Sequence, residues 1–207
     1  MSKNVFIMGD SYSTYGGQIP EGYHAYYHDN RTDAPVVKLE NTWWRVFLKK
    51  TGFRLVCNDS FSGSTLCNTV RETLPLSSSF INRMDKYIEE NFFSENKIDL
   101  MLIFGGTNDS WINAPVGELC SSDWTEEQLK CVLPAFCYLI RRAKEVVGEV
   151  VVLLNTGLKP EITDGFRDAC EQAGVRYLYL QEIEKEHGHP TEVGMAQIAE
   201  QVAAFVG

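Results

Sequence analysis

Val5-Phe-Ile-Met-Gly-Asp-Ser-Tyr-Ser-Thr14 sets four apolar residues directly ahead of Gly9-Asp10-Ser11. A continuous apolar run suits a strand covered on both faces, as in a parallel sheet, better than one with a solvated side. Open α/β sheets carry their chemistry just beyond the carboxyl ends of such strands. Gly9 permits a sharp turn at that point, so the Ser11 hydroxyl is expected at the strand mouth, where a helix would begin. Taken alone, Asp and Ser there are also ordinary helix caps.

Similar strand-like runs follow at Arg54–Asn58, Leu100–Phe104, Val150–Leu154 and Val175–Leu178, separated by helical patterns. That alternation predicts an α/β chain whose parallel strands are joined by right-handed crossovers, and hence a three-layer α/β/α sandwich. Asn41–Gly52 reads as a helix with an Asn cap, lysines in its last turn and a glycine past its end. Ser79 to about Asn91 is a second helix. Thr125–Val147 is expected as a third, started by the capping box Thr125-Glu-Glu-Gln128 and bent at Pro134. Glu161–Ala173 and a final amphipathic stretch from Thr191 complete the set. Two excursions, Tyr15–Glu40 and Trp111–Trp124, leave strand carboxyl ends and should overhang them, either as binding walls or as self-packed aromatic loops.

Three further segments carry what an activated serine needs. Asn58-Asp-Ser-Phe-Ser-Gly63-Ser64 follows one apolar run, Gly105-Gly-Thr-Asn108-Asp109 follows another, and His189-Pro190 stands just before the last helix. In that order these blocks resemble the SGNH (GDSL) hydrolase family, over a span from Val5 to about Ala199. The resemblance implies one domain over residues 1–207 with a flavodoxin-like five-stranded parallel sheet of order 2-1-3-4-5. It implies acyl-ester hydrolysis, with Ser11 as nucleophile and His189 as base. The Ser11 N–H, the Gly63 N–H and the Asn108 amide would face the oxyanion.

Each assignment makes chemical sense. A serine hydroxyl is a weak nucleophile until a base lies within hydrogen-bond reach. Pro190 biases His189 toward an extended backbone that could present its imidazole to the sheet edge. Gly63 allows main chain to approach a substrate closely, and Asn108 supplies a donor that does not titrate. Asp10 and Asp109 read as acceptors or caps. The chain departs from the family pattern three residues before His189, where the usual Asp is Glu186. Glu186 could complete a Ser-His-Glu triad, or a backbone carbonyl could orient the ring in a Ser–His dyad.

Composition bounds the rest. A net charge of −9 disfavours nucleic acid and anionic membranes as partners. No stretch approaches the length of a membrane span, and the absence of a leader-like start suggests a cytoplasmic setting. Six scattered cysteines without a C-x-x-C pair read as reduced thiols. Neither a metal-ligand spacing nor a nucleotide loop is present, so no cofactor is expected. The expected substrate is a short acyl ester, with an O-acetyl group on a carbohydrate as the leading guess. Trp43, Trp44, Trp111 and the tyrosines of 15–28 would either stack on sugar or belong to the core. The alternative is a catalytically silent protein of the same fold that binds a glycan or acylated ligand; the Glu186 substitution keeps it open.

Overall fold

The computed structural model describes residues 2–207. Its sheet is formed by β1 (Asn4–Gly9), β2 (Arg54–Ser60), β3 (Leu100–Phe104), β4 (Val150–Leu154) and β5 (Arg176–Tyr179). All neighbours are parallel, in the order β2-β1-β3-β4-β5. The apolar runs explain why helices cover both faces. In β1, Val5 and Ile7 enter one core while Phe6 and Met8 enter the other. Leu100, Leu102, Val151 and Leu153 share the first core, and Met101, Ile103, Val150 and Val152 share the second. At about 1.5–3 kcal/mol for each fully buried large aliphatic side chain, neither face could be left wet.

The first face is covered by α1 (Trp43–Thr51) and, at the far end of the chain, by the helix Glu192–Val206. The second face carries α2 (Phe80–Glu89), with the short α3 (Phe92–Glu95) beside it. After β3 comes the single turn α4 (Thr107–Trp111), then α5 (Val132–Val146) and α6 (Pro160–Ala173) on that second face. A two-residue-per-strand hairpin, β6 (Lys185–Glu186) and β7 (His189–Pro190), precedes α7, the Glu192–Val206 helix.

Three expectations are corrected. The helix expected over Thr125–Val147 breaks at Cys131, whose backbone is extended, and α5 begins at Val132. The capping box does form, with Thr125 N–H donating to Gln128 Oε1 and Gln128 N–H to Thr125 Oγ1, but it closes only one 3-10 turn. Pro134 then falls in the first turn of α5, where a missing N–H leaves no bond unmade, so no bend is needed. Asn41 does not cap α1. Thr42 takes that position, and the Asn41 amide donates instead to Glu192 Oε1 at 2.9 Å, tying α1 to α7. Trp43 and Trp44 are fully buried under the sheet and are not available to a sugar; Trp43 Nε1 donates to Ser13 Oγ at 3.1 Å.

Candidate active site

The last residues of three adjacent strands, Ser60, Gly9 and Phe104, pair side by side. The chain leaves all three at one edge, and each exit carries one block of the sequence pattern. Beyond Gly9, Ser11 opens a 3-10 turn that Asp10 caps, its Oδ1 accepting from Tyr12 N–H at 3.0 Å. Beyond Ser60 comes the Gly63 turn, and beyond Phe104 comes Asn108 in the first turn of α4. Asn108 Nδ2 donates to Ser64 O at 3.0 Å, so the second and third exits are joined directly.

Beneath them, two buried charged groups hold the turns. The Asp109 carboxylate accepts from Leu66 N–H at 2.9 Å and from Cys67 N–H at 3.3 Å, clamping the chain that follows Gly63 onto α4. Burial pushes its pKa up, and those N–H donors oppose the shift. Arg83 donates to Ser78 O, Asp59 O and Gly9 O and pairs with the Asp59 carboxylate, so one guanidinium pins the ends of β1 and β2 together. Asp10 is different. Its Oδ2 has no partner among the described residues, and burial raises its pKa to about 7.

The fourth block arrives from the other end of the chain. His187 and Gly188 have φ of 47° and 78°, the two left-handed residues of a type I′ hairpin turn, and Glu186 pairs with His189 across it. Histidine tolerates that region better than most side chains, and glycine enters it freely. The hairpin is fixed from below by Tyr12, whose hydroxyl donates to Gly188 O, and by Tyr27, whose hydroxyl donates to Pro190 O at 2.8 Å. Tyr26 stacks flat on the imidazole at 3.5 Å between ring centres, and Trp111 meets it edge-on at 5.5 Å. The Tyr15–Glu40 excursion is thus the wall that orients His189. Of the aromatics proposed to meet sugar, Tyr15 and Tyr27 are buried, while Trp111 stays 43% exposed.

The outcome is a contact between groups 178 positions apart: His189 Nε2 lies 3.0 Å from Ser11 Oγ. On the other side of the ring, Nδ1 lies 3.3 Å from the His187 carbonyl oxygen. A carbonyl can only accept, so Nδ1 carries the proton and Nε2 is left with its lone pair toward the serine. Glu186, the carboxylate expected at Nδ1, is exposed and makes no bond to the ring. The Nδ1 position is taken instead by the carbonyl of His187 in the turn between the two paired residues. Burial lowers the His189 pKa to about 4; the His187 carbonyl opposes the shift, and the positive charges of Arg31 and Lys185 add smaller contributions to the lowering. His24, His28 and His187 are exposed and make no such pair.

Gly63, at φ 85°, and Ser11 each have a backbone N–H that donates to nothing among the described residues. Asn108 has one amide hydrogen on Ser64 O and one left over. All three lie on the exits that carry Ser11 and its neighbours. A groove of about 340 Å³ between α5 and α6, lined by Cys137, Ile140, Lys144 and Ala173, contains none of these residues and no nucleophile–base pair.

The GDSL-like lipase/acylhydrolase family model matches this chain over residues 3–206. The chain belongs to that family. No curated protein matches it. Among solved structures it is similar to a Bacteroides ovatus chain named as a GDSL-like lipase, at 37% identity and a TM-score of 0.90, covering 99% of this chain and 98% of that one. A Bacteroides uniformis chain of the same name gives 37% identity, TM-score 0.90 and coverage of 99% and 95%. A carbohydrate acetylesterase from Sinorhizobium meliloti shares the fold at 14% identity, TM-score 0.68 and coverage of 99% and 98%. The family membership agrees with the resemblance read from the four sequence blocks.

Tyr12 carries no sequence signal for a place in the site, Tyr26 and Tyr27 read only as sugar-stacking or core aromatics, and no residue was named for the carbonyl that His187 supplies at Nδ1. For the hairpin a signal existed, since His187-Gly188 between two short polar-apolar segments is a two-residue turn. The stacking of Tyr26 had none, because nothing local says which face of the loop meets residue 189.

Proposed function

We propose that this member of the family is a serine esterase that cleaves short acyl esters through a Ser11–His189 dyad, with O-acetylated carbohydrate as its leading substrate class. The observation that carries the reading is the 3.0 Å contact between Ser11 Oγ and the unprotonated Nε2 of His189. Ser11 Oγ attacks the acyl carbonyl as its proton passes to Nε2. The carbonyl oxygen becomes an oxyanion facing the Ser11 N–H, the Gly63 N–H and the spare Asn108 amide hydrogen. Collapse expels the alcohol, which takes the proton from Nε2 and leaves an acyl-Ser11 ester. Water then adds with His189 as base again, releasing the carboxylic acid and restoring Ser11.

The fold is shared with the carbohydrate acetylesterase above and with an aryl esterase of M. smegmatis at 15% identity and TM-score 0.65, so esters, an acetyl ester of carbohydrate among them, are substrates this architecture can serve. With 4-nitrophenyl acetate the enzyme is expected to give a burst and steady turnover, both absent in Ser11→Ala. Equal slow rates in the two proteins would favour the silent binding protein instead.

Three consequences can be measured. Glu186→Gln is expected to leave kcat/KM within about twofold, because the carboxylate does not meet the ring; a triad carboxylate would cost several orders of magnitude. Since neutral His189 is the base and its pKa is lowered, kcat/KM should hold as pH falls through 6.5 and drop only toward about pH 4, in the wild type and in Glu186→Gln alike. Asn108→Ala is expected to lower kcat by about 100- to 1,000-fold with little change in KM, the mark of a donor used only in the transition state.

A further inference from the structure

Arg71 occupies the rim of this site in a way the mechanism above does not use. Its Nη2 donates to Asn108 Oδ1 at 3.1 Å. A Cβ placed on Gly63 would lie 3.6 Å from Arg71 Cδ, so the arginine arm runs along the turn that carries one oxyanion donor and ends at another. Its backbone carbonyl accepts from Leu74 N–H at 2.9 Å, which holds the residue in a tight turn. The side chain is half-buried, yet no carboxylate lies within 4.0 Å of its guanidinium among the described residues. Most other arginines of this chain do have such a partner, as Arg31 has Asp33 and Arg176 has Glu149.

A guanidinium has five N–H donors in a planar fork that fits a carboxylate with two parallel bonds. One donor is committed to Asn108, which fixes the plane of the fork while leaving the rest unengaged. The surroundings of the dyad are also cationic. Arg31 lies 4.0 Å over the Tyr26 ring that stacks on His189, and Lys185 Nζ lies 5.3 Å from the Tyr12 ring on which the hairpin rests. Against these stand Asp33, already paired with Arg31, the exposed Glu186, and the carboxyls of Asp10 and Asp109 buried beneath the turns. In a chain of net charge −9, Arg71 and Lys185 thus stand without a carboxylate within 4.0 Å among the described residues, Arg71 bonded to Asn108 and Lys185 beside the Tyr12 ring.

We propose that Arg71 recognises a carboxylate carried by the ester substrate, which narrows the substrate class to anionic acyl esters; this rests on the esterase reading above. The carboxylate can belong to the acyl group or to the alcohol, and two pairs of probes separate those sources. Mono-4-nitrophenyl succinate is compared with its neutral succinamic ester for the acyl side, and 4-acetoxybenzoate with 4-acetoxybenzamide for the alcohol side. In one pair the wild type is expected to favour the carboxylate by about tenfold or more in kcat/KM, a preference that shrinks as salt is added. In Arg71→Gln, which removes both the charge and the fork, the ratio should fall to about one, whatever happens to the absolute rates. Arg71→Lys should retain part of it, because a point charge lacks the fork.

A wild-type ratio near one in both pairs, or a ratio that survives Arg71→Gln, overturns the proposal while leaving the esterase intact. Failure of the wild type to hydrolyse the neutral esters and 4-nitrophenyl acetate in a Ser11-dependent way overturns both.

Discussion

His189→Ala is expected to lower kcat for acetyl-ester hydrolysis by about ten-thousand-fold while the protein stays folded. Without the ring, nothing near Ser11 Oγ can take its proton, since the next charged groups are a protonated lysine and arginine and carboxyls buried below the turns. The loss should appear in acylation and deacylation alike, because the same nitrogen serves both half-reactions. His187→Asn is the matched control. It keeps the left-handed backbone, which Asn tolerates, and the carbonyl that orients His189, and it should stay within about twofold of wild type. Kinetics on the two variants, with thermal denaturation to confirm folding, check the claim. A His189→Ala loss under tenfold would show that the imidazole is not the base.

Arg83→Met is expected to destabilise the fold by about 3–5 kcal/mol, because it leaves the Asp59 carboxyl buried without its cation. Burial alone pushes the Asp59 pKa up, and Arg83 is the charge that opposes it. The arginine also satisfies three carbonyls at the ends of β1 and β2 and before α2. In a chain of this size the melting temperature should fall by roughly 10 °C. Arg83→Met with Asp59→Leu should recover part of that loss, because the stranded charge is gone, though the carbonyls stay unpaired. Calorimetry on the two variants decides the matter: equal losses would mean the cost lies in the carbonyls and not in the ion pair. Since Gly9 and Asp59 lie at the strand ends that lead into the Ser11 and Gly63 turns, the single variant should lose activity before it unfolds.

The sheet was legible in the sequence because its strands are apolar on both faces. A five-residue run such as Leu100–Phe104 has no amphipathic alternative in a chain with helices on either side, and its bounds emerge as expected. The strand order came from the family resemblance, since periodicity carries no information on which strand is neighbour to which. Ser11, Gly63, Asn108 and His189 were singled out through the same resemblance, and the structure sets Ser11, Gly63 and Asn108 just beyond strand ends and His189 just before α7.

What stayed open or failed were features decided by contacts across the fold. Glu186 sits at the family's spacing from His189, but spacing along a chain does not fix which acceptor meets the ring, and in the folded hairpin Glu186 is exposed while the His187 carbonyl faces Nδ1. Thr125-Glu-Glu-Gln128 is a true capping box whose helix is cut off by the extended Cys131, as Val132 N–H pairs with Pro115 O. Trp43 and Trp44 could have faced a ligand by composition, and only the docking of α7 on α1 shows them buried.

The most direct test is covalent. Incubated with a fluorophosphonate probe, the wild type should gain one adduct, mapped by peptide mass spectrometry to Ser11, with labelling abolished in Ser11→Ala and strongly slowed in His189→Ala. An adduct on any other residue, or labelling at Ser11 just as fast without the imidazole, would contradict the claim that a hydroxyl at one end of the chain is activated by a ring delivered from the other.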